Sequence, residues 1–295
     1  MRLPPLIAAA AAALAFALPA QAATDWTAVA QALGKAGSMQ PGEVYKVGLP
    51  RSDLHVTLDG VPIKAGFALG SWVAFHEMGG QAVVMGDLVL THEEVNPVMS
   101  ALEDGGIEVT ALHNHLLRSA PATMYMHIDG RGDPVRLAST LHAALSRSGT
   151  PLAAAAAPAA GPPPAIDLDT AALDRTLGAK GTNNSGVYQF TIPRAEPPRA
   201  HGMPIPPAMG TGIAINFQPT GGGRAAITGD FVLTADEVNP VVRALRGGGI
   251  EVTAIHNHML DDEPRLFFMH FWANDDAGRL ARGLRAALDQ VKRAP

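Results

Sequence analysis

Hydrophobic and polar positions divide the chain into the same series of elements twice. In the first series, Glu43 to Leu49, Leu54 to Leu58, Ser71 to His76 and Gln81 to Leu90 alternate or run apolar between Gly, Pro and Asp-Gly punctuation, which predicts four strands. The period changes at Thr91. Thr91 and Glu94 make a capping box, and Val95, Val98, Met99 and Leu102 follow at helical spacing until Gly105-Gly106. Pro97 lies deep for such a helix and is expected to bend it or shorten its first turn. Ile107 to Leu117 and Met124 to Ile128 predict two further strands joined by a short turn around Pro121. A second helix follows, with Leu137, Ala138, Leu141 and Leu145 on one face.

This series recurs at a constant offset of 143 positions. Gly86-Asp87 returns as Gly229-Asp230, Glu94-Val95-Asn96-Pro97-Val98 as Glu237 to Val241, and Gly105 to Ala111 as Gly248 to Ala254. His113-Asn114-His115 returns as His256-Asn257-His258, Met126-His127 as Met269-His270, and Pro50-Arg51 as Pro193-Arg194. A repeat this regular is a tandem duplication. Residues 23–147 form the first repeat and 165–295 the second. Between them, 148–164 is an Ala/Pro-rich stretch that cannot pack a core and reads as a semi-extended linker. The expected fold is α+β: a tandem duplication of a β-rich unit, with a mainly antiparallel sheet, helices on one face and a ferredoxin-like flavour.

Residues 1–22 read as a signal peptide. Met1-Arg2 is a short basic start, Leu6 to Leu18 an apolar core too short to span a bilayer comfortably, and Ala20-Gln21-Ala22 a small-x-small cleavage pattern. A periplasmic or secreted protein is expected, with no membrane span once the signal is removed. There is no cysteine, so hydrophobic cores must hold the domains without disulfides, and thiolate nucleophiles, thiolate ligands and lipid attachment at a processed Cys are excluded. A formal net charge of −5 without a basic face argues against nucleic-acid binding.

The candidate chemistry lies in the repeated histidines. On a strand, His113 and His115 point to one face and Asn114 to the other, and an antiparallel neighbour can bring His127 beside them. His256, His258 and His270 repeat the set. Three imidazoles per repeat suit a transition metal, zinc first, and leave a coordination position open. Their ring nitrogens should then converge within roughly 3–4 Å of each other. H-x-H alone is a weak pattern, and packing offers a competing explanation: by strand parity Ile107, Val109 and Ala111 share a face with His113, at the edge of a core. Asp87 and Asp230 are the first choice for a fourth ligand, although an Asp near a strand end is more often a turn or cap residue. Glu94 and Glu237 are already used in capping boxes. Glu108 and Glu251 fall on the opposite face from the histidines by parity and are expected to pair across the sheet. His76 and His92 occur only in the first repeat. Met124, Met126, Met259 and Met269 read more readily as core than as copper ligands. No nucleophile elbow is present, and Gly221-Gly222-Gly223 reads as a hairpin turn and not as a phosphate loop.

The blocks GDLVLTHEEVNPVMSALEDGGIEVTALHNHLL and GDFVLTADEVNPVVRALRGGGIEVTAIHNHML resemble the LppY/LpqO-like family of exported bacterial proteins and lipoproteins of unknown function. The resemblance covers essentially the whole mature chain. It implies export but brings no activity or ligand set. The functional expectation from the residues is therefore a periplasmic metal-binding protein with a three-histidine site in each repeat, open to metal-dependent hydrolysis. The alternative is a non-catalytic envelope module that binds a glycan, small molecule or protein. Whether the repeats build two sites or share one is left open by the sequence.

Overall fold

A computed structural model describes residues 23–78, 80–152 and 164–294. The proposed signal peptide and residues 153–163 of the linker lie outside the described residues. The first repeat runs α1 (Trp26–Leu33), β1 (Ser38–Gln40), β2 (Val44–Pro50), β3 (Thr57–Leu58), β4 (Val61–Pro62), α2 (Ala65–Ala68), β5 (Gly70–Met78), β6 (Gln81–Thr91), α3 (His92–Asp104), β7 (Glu108–His113), β8 (Thr123–Gly132) and α4 (Pro134–Leu145). The second runs α5 (Thr170–Leu177), β9 (Thr182–Asn184), β10 (Val187–Ile192), β11 (Arg199–Ala200), β12 (Met203–Pro204), a 3-10 turn (Pro207–Met209), β13 (Ile213–Gly221), β14 (Arg224–Leu233), α6 (Ala235–Gly247), β15 (Glu251–His256), β16 (Phe267–Asp276) and α7 (Ala277–Leu288).

Each repeat builds a six-stranded antiparallel sheet, in the orders β1-β2-β5-β6-β8-β7 and β15-β16-β14-β13-β10-β9. The chain is therefore an α+β duplication, as the patterning predicts. The split pair β6–α3–β7, with β8 inserted between its strands, is its ferredoxin-like part.

Alternation along the strands sorts residues onto two faces. In β6 and β8, Leu88, Leu90, Met126 and Ile128 join Val98, Leu102, Leu141 and Leu145 in the core beneath the helices. The opposite faces of the two sheets meet each other. Val83 and Met85 share a core with residues of the second repeat, and Val89 and Tyr125 pack with Val187, Ala226 and Trp272. Burying both faces of each sheet explains the nearly continuous apolar run of β6.

Both capping boxes form, and both helices run on through Pro97 and Pro240, so the first turn is not shortened. Three strand expectations change. Leu54 to Leu58 contracts to the two residues of β3, and β8 extends to Gly132. β7 stops at His113, so His115 lies in the loop beyond it. Among the described residues no helix is long and apolar enough to cross a membrane.

Candidate metal centre

The histidines are aimed by an irregularity that simple alternation misses. β7 pairs with β8 through Val109–Ile128 and then Ala111–His127, so Thr110 is an extra residue, a β-bulge. β15 has the same bulge at Thr253. The bulge reverses the parity of the strand. Ile107 and Val109 stay with the helix-side core, while Ala111 and His113 turn to the face that carries Tyr125 and His127. The expectation that His113 shares a face with Ile107 and Val109 is thereby corrected. Glu108 is corrected too: it pairs with Asp129, on the sheet face of His127, although far along the strand. Glu251 is exposed enough to bind Arg118 of the first repeat at 2.9 Å, and neither Glu reaches the histidines.

The six imidazoles form one cluster where the sheets meet. His113 and His256 stack on each other with ring centroids 3.4 Å apart. His115 lies between Tyr125 at 3.3 Å and His270 at 3.6 Å. His258 lies between Phe268 at 3.4 Å and His127 at 3.7 Å. A trio within one repeat is therefore not what forms. The third histidine of each repeat sits against the H-x-H pair of the other, because the sheets pack face to face. His113, His115 and His270 place potential ligand atoms within 4.8 Å of one another, as do His113, His127 and His256, and Asp230, His256 and His258. Asp87 and Asp230 do join the cluster: Asp87 Oδ2 is 3.6 Å from His115 Nε2, and Asp230 Oδ2 is 3.1 Å from His258 Nε2.

The other candidates stay outside. His92 is exposed at the start of α3, and His76 sits half-buried on β5. Met126, Met259 and Met269 fill apolar core, and Met124 packs against it. Glu94 and Glu237, besides capping their helices, each receive a two-pronged guanidinium, from Arg51 and Arg194 respectively.

Hydrogen bonding sets three of the rings in one tautomer. The Nδ1 of His113 meets the Asn114 carbonyl at 3.1 Å, that of His256 the Asn257 carbonyl at 3.0 Å, and that of His270 the Gly229 carbonyl at 2.7 Å. With Nδ1 donating to a carbonyl, Nε2 carries the free lone pair. Gly229 must be glycine here, since a Cβ would lie 2.0 Å from the Ala214 carbonyl oxygen. Eight of the ten buried side-chain polar atoms without a hydrogen-bond partner among the described residues are the six Nε2 atoms and the Oδ1 atoms of Asp87 and Asp230.

Burial dominates the electrostatics. It holds His113 and His256 down to about 4, and the remaining four imidazoles also lie well below their ordinary value. Burial, then the neighbouring Asp230 carboxylate, raises Asp87 well above the usual range, and burial lifts Asp230 to about 7. Neutral imidazoles with inward lone pairs, next to carboxylates that burial disfavours as anions, are poised for a cation.

Polar contacts between the repeats lock this arrangement. The bulged Thr110 donates its hydroxyl to the His258 carbonyl at 2.6 Å, and Thr253 donates to the His115 carbonyl at 2.6 Å. Asn114 and Asn257 donate to the carbonyls of Thr253 and Thr110. The middle residue of each H-N-H run thus clamps one repeat to the other. Sequence reasoning gave Thr110 and Asn114 no role, although both recur at the 143-residue offset.

A family model described as Domain of Unknown Function (DUF1259) matches residues 27–147 and again residues 171–290. The chain belongs to that family. The two DUF1259 matches coincide with the two sheets, so the duplication is one of whole domains. No curated protein matches the chain. Among solved structures, the DUF1259 chain is similar to a trimeric bacterial microcompartment shell protein, PduB. That likeness has 12% identity over 88% of this chain and 95% of that one, with a TM-score of 0.22. EtuB from Clostridium kluyveri follows at 9% identity over 86% and 88%, with a TM-score of 0.21. Likenesses this weak carry no argument about function.

Proposed function

We propose that this protein is an exported metal-binding protein whose cluster holds two transition-metal ions, zinc first, in two sets related by the 143-residue offset. One set is His113, His115, His270 and Asp87; the other is His256, His258, His127 and Asp230. The observation that carries the reading is the convergence of eight partnerless buried nitrogen and oxygen atoms. Leaving so many polar atoms unpaired costs about 1–3 kcal/mol each, which a bound cation offsets by accepting their lone pairs. Imidazole and carboxylate ligands suit zinc and its neighbours, and two such ions would support metal-assisted hydrolysis or another water-activating reaction. Export rests on the N-terminal segment.

Elemental analysis of untagged protein tests the reading. About two ions per chain are expected, and a His113→Ala/His256→Ala variant should lose most of them while keeping its circular dichroism spectrum. Protein that stays metal-free after incubation with zinc and desalting removes the metal reading. One ion per chain would instead place it on the axial set of His113, His127 and His256, which competes for the same side chains.

A further inference from the structure

A cavity of about 680 Å³ opens onto the cluster, lined by Asp87, His115, Asp230, His258 and His270 together with residues from both sheets. Its volume is that of a small-molecule site. It straddles the junction, so most lining positions come in equivalent pairs, and the pairs that differ are informative.

Lys46 in the first repeat corresponds to Gln189 in the second, and Trp72 to Ala214, since Trp72 pairs with Asp87 as Ala214 pairs with Asp230. Lys46 Nζ donates to the Ala208 carbonyl at 2.8 Å, a contact that ties the repeats together. Gln189 does the equivalent work, donating to the Gly66 carbonyl at 2.8 Å, and it does so without a charge. The structural task thus leaves the lysine's charge unexplained. Among the described residues no carboxylate oxygen lies within ion-pair distance of Lys46, and its ammonium sits 4.0 Å over the Trp72 ring. Burial lowers Lys46 to about 8, which leaves it mainly protonated at neutral pH.

Lys46, Asp87 and Asp230 are the charged side chains of the cavity wall; Phe67, Trp72 and Phe190 give it apolar surface. On the metal reading, two divalent ions more than offset the two carboxylates, and Lys46 adds to the excess. Such a cavity favours a negatively charged guest.

We propose that this cavity is a binding site for a small organic anion. Its carboxylate or phosphate group lies between Lys46 and the metal cluster, and its apolar body lies against Trp72. This rests on the metal reading above. The lysine makes the site one-sided: a guest enters a nearly symmetric junction in a single orientation, with its anionic group toward β2 of the first repeat.

Calorimetric titration of zinc-loaded protein with benzoate, phenyl phosphate and the neutral analogue benzamide tests the assignment. Both anions should bind and benzamide should bind at least tenfold more weakly, the loss expected when a charge-assisted contact is removed. Lys46→Gln, which installs the residue of the second repeat, should weaken anion binding by about tenfold or more while the zinc content stays at the wild-type level. Trp72→Ala, which installs the residue of the second repeat, should weaken benzoate more than acetate in the same titration. Carboxylate-only or phosphate-only binding would identify the anionic group. Undiminished anion binding by zinc-loaded Lys46→Gln, or equal binding of benzamide and benzoate, overturns this inference alone. Failure of the metal reading would be seen separately, as missing zinc in the wild-type protein before any anion is added.

Discussion

At the residue scale, each position of the H-N-H run has its own task. The first histidine stacks on its counterpart from the other repeat, the second packs between an aromatic ring and the other repeat's third histidine, and the asparagine clamps the junction. Asn114→Ala leaves the Thr253 carbonyl without this donor, and Thr110→Val does the same to the His258 carbonyl. Each is expected to cost about 1–3 kcal/mol, read as a lower midpoint in urea unfolding of the metal-free protein. An unchanged midpoint would mean that these contacts do not hold the sheets together. Parity arguments cannot find such roles, because the partners lie roughly 140 positions away in sequence.

At the element scale, the bulge decides where the chemistry faces. The strand β7 and the helix α3 before it are legible from apolar spacing and the capping box. The extra residue is not, because Thr110 is an ordinary strand residue and only pairing with β8 exposes the doubled step. The element ends also rest on an ion pair. Arg51, 1% exposed, donates to the Val89 carbonyl and to both oxygens of Glu94, which also caps α3. Asp53 holds the same guanidinium at 2.8 Å, so removing Glu94 leaves Arg51 one carboxylate but takes away the acceptor of the Thr91 N–H. Glu94→Ala should therefore lower stability by about 1–3 kcal/mol, measured by denaturant unfolding, whereas His92→Ala, exposed two residues earlier, should change little. Pro50-Arg51 and its repeat at Pro193-Arg194 are visible in the sequence as a recurrence, but their tie to Glu94 and Glu237 is a tertiary fact.

At the scale of the whole molecule, two sheets bury an ionisable cluster between them, and that ties stability to pH. His113 and His256 titrate near 6.5 when unfolded and at about 4 when folded, so between these values the unfolded chain holds more protons. Their contribution is complete above about pH 6.5 and is lost as pH falls through about 4. The other four imidazoles shift the same way. Asp230, raised to about 7, works in the opposite sense, contributing stability that is lost as pH rises through that value, and Asp87 shares its direction. Six groups against two leave the histidines dominant. The melting temperature of chelator-treated protein should drop from pH 6.5 to pH 4.5, and zinc at neutral pH should raise it, since a ligand bound only by the folded state stabilises it. A melting temperature flat across that range would contradict the burial of neutral imidazoles.

The amino-acid sequence by itself determined the duplication, the α+β class, the capped helices and the identity of the eight side chains that gather at the junction, because local periodicity and exact recurrence are properties of the chain. Only the tertiary structure decided how those side chains combine. Strand parity was reversed by a bulge that pairing alone reveals, and each repeat's third histidine was delivered to the other repeat's pair by sheets that pack face to face. Which atoms meet across that junction depends on the packing of surfaces far apart in the chain, and no local pattern encodes it.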